Sequence, residues 1–167
     1  MVRYRTNMVR QRTKWGTVQT NHHQSTGAWA KRYHLAARAV IDATLRPHDL
    51  GATQWYVLWH LVHDGPLVQR DLLALLNIEK PTLSGVVAAL VRKGFVEQIS
   101  NPKDQRQKLL SITPAGQELW ARLPDPITLI LETAFAGMSE ADLATATRVL
   151  SIGTERLNSF LDKGRKS

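Results

Sequence analysis

Apolar residues recur at three- and four-residue spacings between Thr26 and Leu45, at Trp29, Tyr33, Ala36, Ala37, Val40 and Ile41. This spacing predicts a one-sided helix, and Pro47 ends it. A second helix is expected from about Thr53, with Val57, Leu58 and Leu61 on one face and Trp55, Trp59 and Val62 on a neighbouring one. Asp64-Gly65-Pro66 supplies turn chemistry that stops it. A short third helix over Gln69 to Leu76 carries Leu72, Leu73 and Leu76, with Asn77 as its terminator. A fourth begins at Pro81, where a missing N–H costs nothing, and runs to Lys93 with Gly94 as a left-handed cap.

Beyond Gly94 the period changes. Phe95-Val96-Glu97-Gln98-Ile99 and Leu109-Leu110-Ser111-Ile112 are two β-type segments separated by charged and turn-forming residues, which predicts a hairpin with a basic tip. Thr113-Pro114 opens another helix bearing Leu119, Trp120 and Leu123, and Pro124 and Pro126 are expected to interrupt or kink it. A last helix is expected from Ser139, paired with Asp142 in a capping arrangement, with Leu143, Ala146, Leu150, Leu157 and Leu161 along one side.

Charge adds an asymmetry to this pattern. The net charge is +8, and the first acidic residue is Asp42. Ahead of it stand eight cations, Arg3, Arg5, Arg10, Arg12, Lys14, Lys31, Arg32 and Arg38, so the chain from Asp42 onward is formally neutral. A basic arm ahead of a neutral body suits attraction to phosphates, or acts as a solubilising tail. The chain has no cysteine, which excludes disulfides, thiol switches and cysteine-ligated zinc. With no apolar run long enough for a bilayer and no secretory pattern, a cytoplasmic, nucleoid-associated protein without membrane contact is expected. Gly-rich phosphate loops, a GxSxG elbow and acidic metal clusters are missing from the sequence, so the expectation is of no enzyme and no cofactor.

Helix, short helix, helix and hairpin follow one another in the order of a winged helix-turn-helix. The motifs Gln54-Trp55, Pro81-Thr82-Leu83-Ser84, Lys93-Gly94-Phe95-Val96, Asn101-Pro102-x-Asp104-x-Arg106 and Ile112-Thr113-x-x-Gly116 lie in register between about Gly51 and Leu123. In these the sequence resembles the MarR family of transcriptional regulators. The expected fold is mainly α with a small β-hairpin wing, flanked by N- and C-terminal dimerisation helices. The expected organisation is a basic arm over 1–21, a dimerisation helix over 22–47, the winged domain over 48–119 and C-terminal dimerisation helices over 120–167. The resemblance implies a homodimer that binds double-stranded DNA at a pseudo-palindrome, as a repressor.

A hairpin-tip arginine suits the negative potential of a minor groove, and a carboxylate two residues earlier can fix its direction. Arg106 and Asp104 take those roles, and the resemblance assigns the same ones. Lys103 and Lys108 sit where phosphates would pass. On the fourth helix the core positions are Leu83, Val86, Val87 and Leu90, which leaves Pro81, Thr82, Gly85, Ala88, Ala89 and Arg92 for the major groove. Lys80, Pro81, Thr82, Ser84, Gly85 and Arg92 complete the expected DNA contacts. Many family members carry charged residues near Ala88, Ala89 and Val91, an arginine at Gln98 and a capping Ser or Thr at Val68.

The resemblance also implies a pocket for a small aromatic or phenolic ligand among Trp29, Tyr33, Trp55, Trp59 and Trp120, although aromatics at helical spacing also serve as plain core. His60 and His63, three apart beside Asp64, and the pair His22-His23 read as solvated or partner-satisfied histidines ahead of a metal site. Two other readings fit the chain: a non-specific architectural DNA-binding protein, and a winged-helix protein-interaction module.

Overall fold

The computed structural model describes residues 25–101 and 107–164. The chain divides into two compact units, Met1–Pro126 and Ile127–Ser167. The first opens with α1, Thr26–Leu45, whose N-terminus is capped by the Ser25 hydroxyl accepting from Ala28 N–H at 3.2 Å. A single 3-10 turn at Arg46–His48 follows Pro47's restriction on the backbone and leads to α2, Ala52–His63. Gly51 has no side chain to cap α2. Two other groups serve instead: Asp42 Oδ1 accepts from Ala52 N–H at 2.7 Å, and Gln54 reaches back to Gly51 N–H at 3.2 Å.

After the Gly65 turn come β1, Leu67–Val68, then α3, Gln69–Leu76, and α4, Lys80–Arg92. Asn77 takes the left-handed conformation that ends α3, and α3 and α4 are bent 116° from one another, within the range of a helix-turn-helix. Helix α4 begins one residue ahead of Pro81, with Glu79 as its cap. Gly94, at φ 76, turns the chain into β2, Val96–Ser100, which pairs with β3, Lys108–Ile112, from Val96 opposite Ile112 to Ser100 opposite Lys108. The sheet order is β1-β3-β2, all antiparallel, with Leu67 opposite Leu110. Strand β1 carries no signal in the sequence, because two residues are too few to show an alternation.

The core of this unit is aliphatic. Leu45, Leu58, Leu72, Leu83, Leu90 and Leu110 are fully buried, with α2 packed on α1, α4 and β3. Helix α5, Pro114–Trp120, is capped by Thr113, whose hydroxyl accepts from Gly116 N–H at 3.0 Å and donates to the Gly94 carbonyl at 2.6 Å.

The second unit holds α6, Pro126–Phe135, and α7, Glu140–Gly164, joined through a left-handed Gly137. The prolines do more than kink the preceding helix: α6 is a separate ten-residue helix. Ser139 caps α7 as its spacing predicts, accepting from Asp142 N–H at 3.2 Å while its hydroxyl donates to the Asp142 carboxylate at 2.7 Å. Among the described residues no single helix is long and apolar enough to cross a membrane.

Candidate nucleic-acid interface

Burial of Leu83, Val87 and Leu90 fixes how α4 is rotated about its axis. Pro81, Thr82, Ser84, Gly85, Ala88 and Arg92 are thereby turned to solvent, and Lys80 begins the same exposed stretch. Ala89 is half-buried and departs from the outward face expected for it. The result is a narrow, smooth ridge with hydroxyls at Thr82 and Ser84 and a cation at each end. Such a surface admits close approach to base edges and to thymine methyls.

Helix α3 supports this ridge from one side. Gln69, its first residue, donates from Nε2 to Ser84 Oγ at 2.9 Å. Beside it an open groove of about 640 Å³ is lined by Gln69, Arg70, Lys80, Gln98, Gln107 and Lys108 over an apolar floor of Val68, Leu73 and Leu110. Three cations from α3, α4 and β3 thus share one concavity, and among the described residues no carboxylate lines it. Arg70 also approaches Asp71 at 3.7 Å, but its side chain is 84% exposed, so that contact is too solvated to hold it. A second groove, of about 490 Å³, lies along the other side of Gln69 and Ser84 and includes Ala88, Arg92 and Gln98.

The structure brings together Lys80, Ser84, Arg92 and Lys108 with three residues that the sequence reading did not select, Gln69, Arg70 and Gln107. Helical period alone could have found Arg70, on the polar face of an α3 whose buried side is Leu72. Gln69 required the tertiary contact. Lys103, Asp104 and Arg106, expected at the hairpin tip, lie outside the described residues, as do the basic arm over 1–21 and the pair His22-His23.

Ring contacts join Trp55, Trp120 and Trp59, the last through His63. Trp55 is buried with its ring 5.5 Å from Trp120, while Trp59 stacks on His63 at 4.3 Å and His63 meets Trp120 edge-on at 5.9 Å. Trp29 lies elsewhere on α1, exposed, with Arg32 over its ring at 4.9 Å. Tyr33 acts on Tyr56: burial first, then the neighbouring Tyr33 phenol, push the Tyr56 pKa up, against an opposing pull from Arg38. His60 Nδ1 bonds the Asp64 carboxylate at 2.7 Å and His63 Nδ1 bonds the Trp59 carbonyl at 2.7 Å, so both imidazoles have protein partners.

The family model described as MarR family matches residues 48–107, which run from the end of the 3-10 turn to the residue before β3. The fold itself is shared with the structure of Bordetella bronchiseptica BpsR, titled for regulation of its DNA binding by 6-hydroxynicotinic acid, which superposes with a TM-score of 0.70 at 23% identity, covering 79% of this chain and 94% of that one. Over residues 48–107 the chain is similar to the MarR family.

Two curated MarR-like relatives extend the match in sequence. YwoH of Bacillus subtilis, an uncharacterized HTH-type transcriptional regulator, is 28% identical over 98 residues, covering 59% of this chain and 71% of its own length. The HTH-type transcriptional repressor IacR of Pseudomonas putida is 23% identical over 124 residues, 74% of each chain. The winged-helix fold of the MarR family accounts for the three-stranded sheet, whose short β1 closes the edge of the wing.

Proposed function

We propose that this protein is a homodimeric, DNA-binding transcriptional repressor that acts on a pseudo-palindromic operator and is released by a small aromatic or phenolic effector. The observation that carries this reading is the smooth exposed ridge of α4 beside a groove holding Arg70, Lys80 and Lys108. Small residues let the ridge enter a major groove, and the cations meet the phosphates that border it. Arg106, directed by Asp104, enters the adjacent minor groove, with Lys103 and Lys108 on its flanking phosphates. In this reading residues 48–119 bind DNA, while 22–47 and 120–167 join two copies and set the spacing of the two ridges at about one helical turn.

The names of the relatives support the functional class: IacR is a repressor, and BpsR responds to a heteroaromatic acid. An effector here would bind among Trp29, Tyr33, Trp55, Trp59 and Trp120, favouring a dimer whose ridges are misspaced and so shifting the population off DNA. No chemical step is required of the protein in this scheme.

The test is binding to the protein's own upstream DNA and to a scrambled duplex at one near-physiological salt concentration, with and without Arg106→Ala. Sequence-specific regulation predicts at least about tenfold preference for the first duplex and a loss of roughly 1–3 kcal/mol in the variant. The sparse hydrogen-bonding capacity of the α4 ridge favours, as a second reading, architectural binding without sequence preference. Equal affinity for both duplexes would establish that reading instead.

A further inference from the structure

Resting on the DNA-binding reading above, we propose that Gln69 and Ser84 form one base-reading unit, built across two helices, that selects adenine in the major groove. Gln69 stands at the start of α3 and Ser84 on the exposed side of α4, and the amide Nε2 donates to the hydroxyl at 2.9 Å. Both residues line the same groove along the ridge.

The consequence lies in which hydrogen-bonding groups this bond uses and which it leaves. Ser84 Oγ has one proton and two lone pairs, and accepting from Gln69 occupies a lone pair. Among the described residues no further partner is recorded for its proton, nor for the Gln69 carbonyl Oε1. The unit therefore offers two donors, the Ser84 hydroxyl and the second Gln69 Nε2–H, and one acceptor, Gln69 Oε1. In the major groove adenine offers the complementary pair, an N7 acceptor beside an N6 amino donor. Guanine offers two acceptors, N7 and O6, and no donor, so it leaves Gln69 Oε1 without a partner. A lone glutamine reads adenine with its own amide N–H. Here one of its two N–H groups is spent on Ser84, whose hydroxyl adds a donor beside the one that remains.

Gln69 is on this account more than a support for α4, and its removal should change what is read as well as how tightly. The experiment begins with duplexes enriched from a random pool by the wild-type full-length chain, in which each adenine is replaced in turn by 7-deazaadenine or by guanine. At one adenine in each half-site, loss of N7 should weaken wild-type binding about tenfold, and guanine by at least as much. Ser84→Ala should bind the natural duplex about tenfold more weakly and be indifferent to 7-deazaadenine at that position. Gln69→Met, similar in shape but without the amide, should lose the preference for adenine over guanine there. The double variant should bind no more than about twofold more weakly than the worse single variant, since the two side chains act together. Ser84 is exposed and Gln69 half-buried, and neither belongs to the apolar core, so thermal midpoints should stay close to the wild-type value.

Variants that weaken binding to enriched and scrambled duplexes alike, or losses that multiply in the double variant, would overturn the unit while leaving the protein a sequence-specific regulator. A wild-type chain that enriches no sequence would overturn the regulator reading and the unit with it.

Discussion

Gly116 shows how one position ties the wing to the helix that follows it. Helix α5 starts so close to the hairpin that a Cβ at Gly116 would run into the Phe95 carbonyl oxygen and come within 2.7 Å of Ile112 Cγ1. Backbone and β-strand atoms cannot yield as a flexible side-chain end does, and Thr113 pins the same turn through the Gly94 carbonyl. Gly116→Ala should therefore cost roughly 1–3 kcal/mol, read as a lowered denaturation midpoint, and an unchanged midpoint would show that α5 swings away at no cost. Tyr56 illustrates a different residue-scale effect. Its pKa is raised above the ordinary 10.0, so the folded chain keeps a proton that the unfolded chain gives up first. The stability linked to it is complete below the unfolded value and is lost as pH rises through the folded one. Between about pH 9 and about pH 11, Tyr56→Phe should lose thermal midpoint less steeply than the wild type. Parallel curves for the two proteins would exclude Tyr56 as a contributor.

At the scale of elements, α4 serves two masters, and its two faces should respond oppositely to substitution. Leu83 lies fully buried in the core, so Leu83→Ala should cost about 2–5 kcal/mol and affect DNA binding only through unfolding. Ala88 sits exposed in the groove beside Arg92, where Ala88→Glu should leave stability within about 0.5 kcal/mol. The same substitution should weaken DNA binding at least about tenfold, because it sets a carboxylate against phosphates. Equal loss of stability in both variants would mean that the outward face is misassigned. These elements differ in how plainly the sequence announces them. The bounds of α1 follow from period and Pro47 and those of α3 from period and the left-handed Asn77, all local signals, and the hairpin from the change of period after Gly94. Strand β1 and the capping of α2 by Asp42 depend on partners far along the chain and leave no local trace. The same limit hid Gln69, whose hydrogen bond to Ser84 joins two helices.

For the whole molecule, apolar surface says more about assembly than charge does. The excess positive charge belongs to residues ahead of Asp42, and the remainder is formally neutral, so net repulsion between two folded bodies is weak. Along α7, Leu150, Leu157 and Leu161 follow one another on a single stripe with Phe160 beside it. Phe160 is 74% exposed and Leu157 67%. Helix α1 likewise presents Trp29, Tyr33 and Val40 on one side. Contiguous stripes of this kind on a chain of 167 residues call for a cover, and a two-fold copy of the same surface is the commonest one. Sedimentation equilibrium at micromolar concentration should thus give twice the chain mass, and replacing Leu157 and Phe160 together by Asp should give a single chain. A dimer would also set the salt dependence of DNA binding. Each phosphate neutralised contributes about 0.9 to the slope of log affinity against log salt concentration, so two protomers with the same cations should give about twice the slope of one. The Asp variant should retain a measurable but weaker affinity with roughly half the wild-type slope. A wild-type chain that sediments as a monomer, or a variant that keeps the full slope, would assign the stripes on α1 and α7 to something other than a second copy.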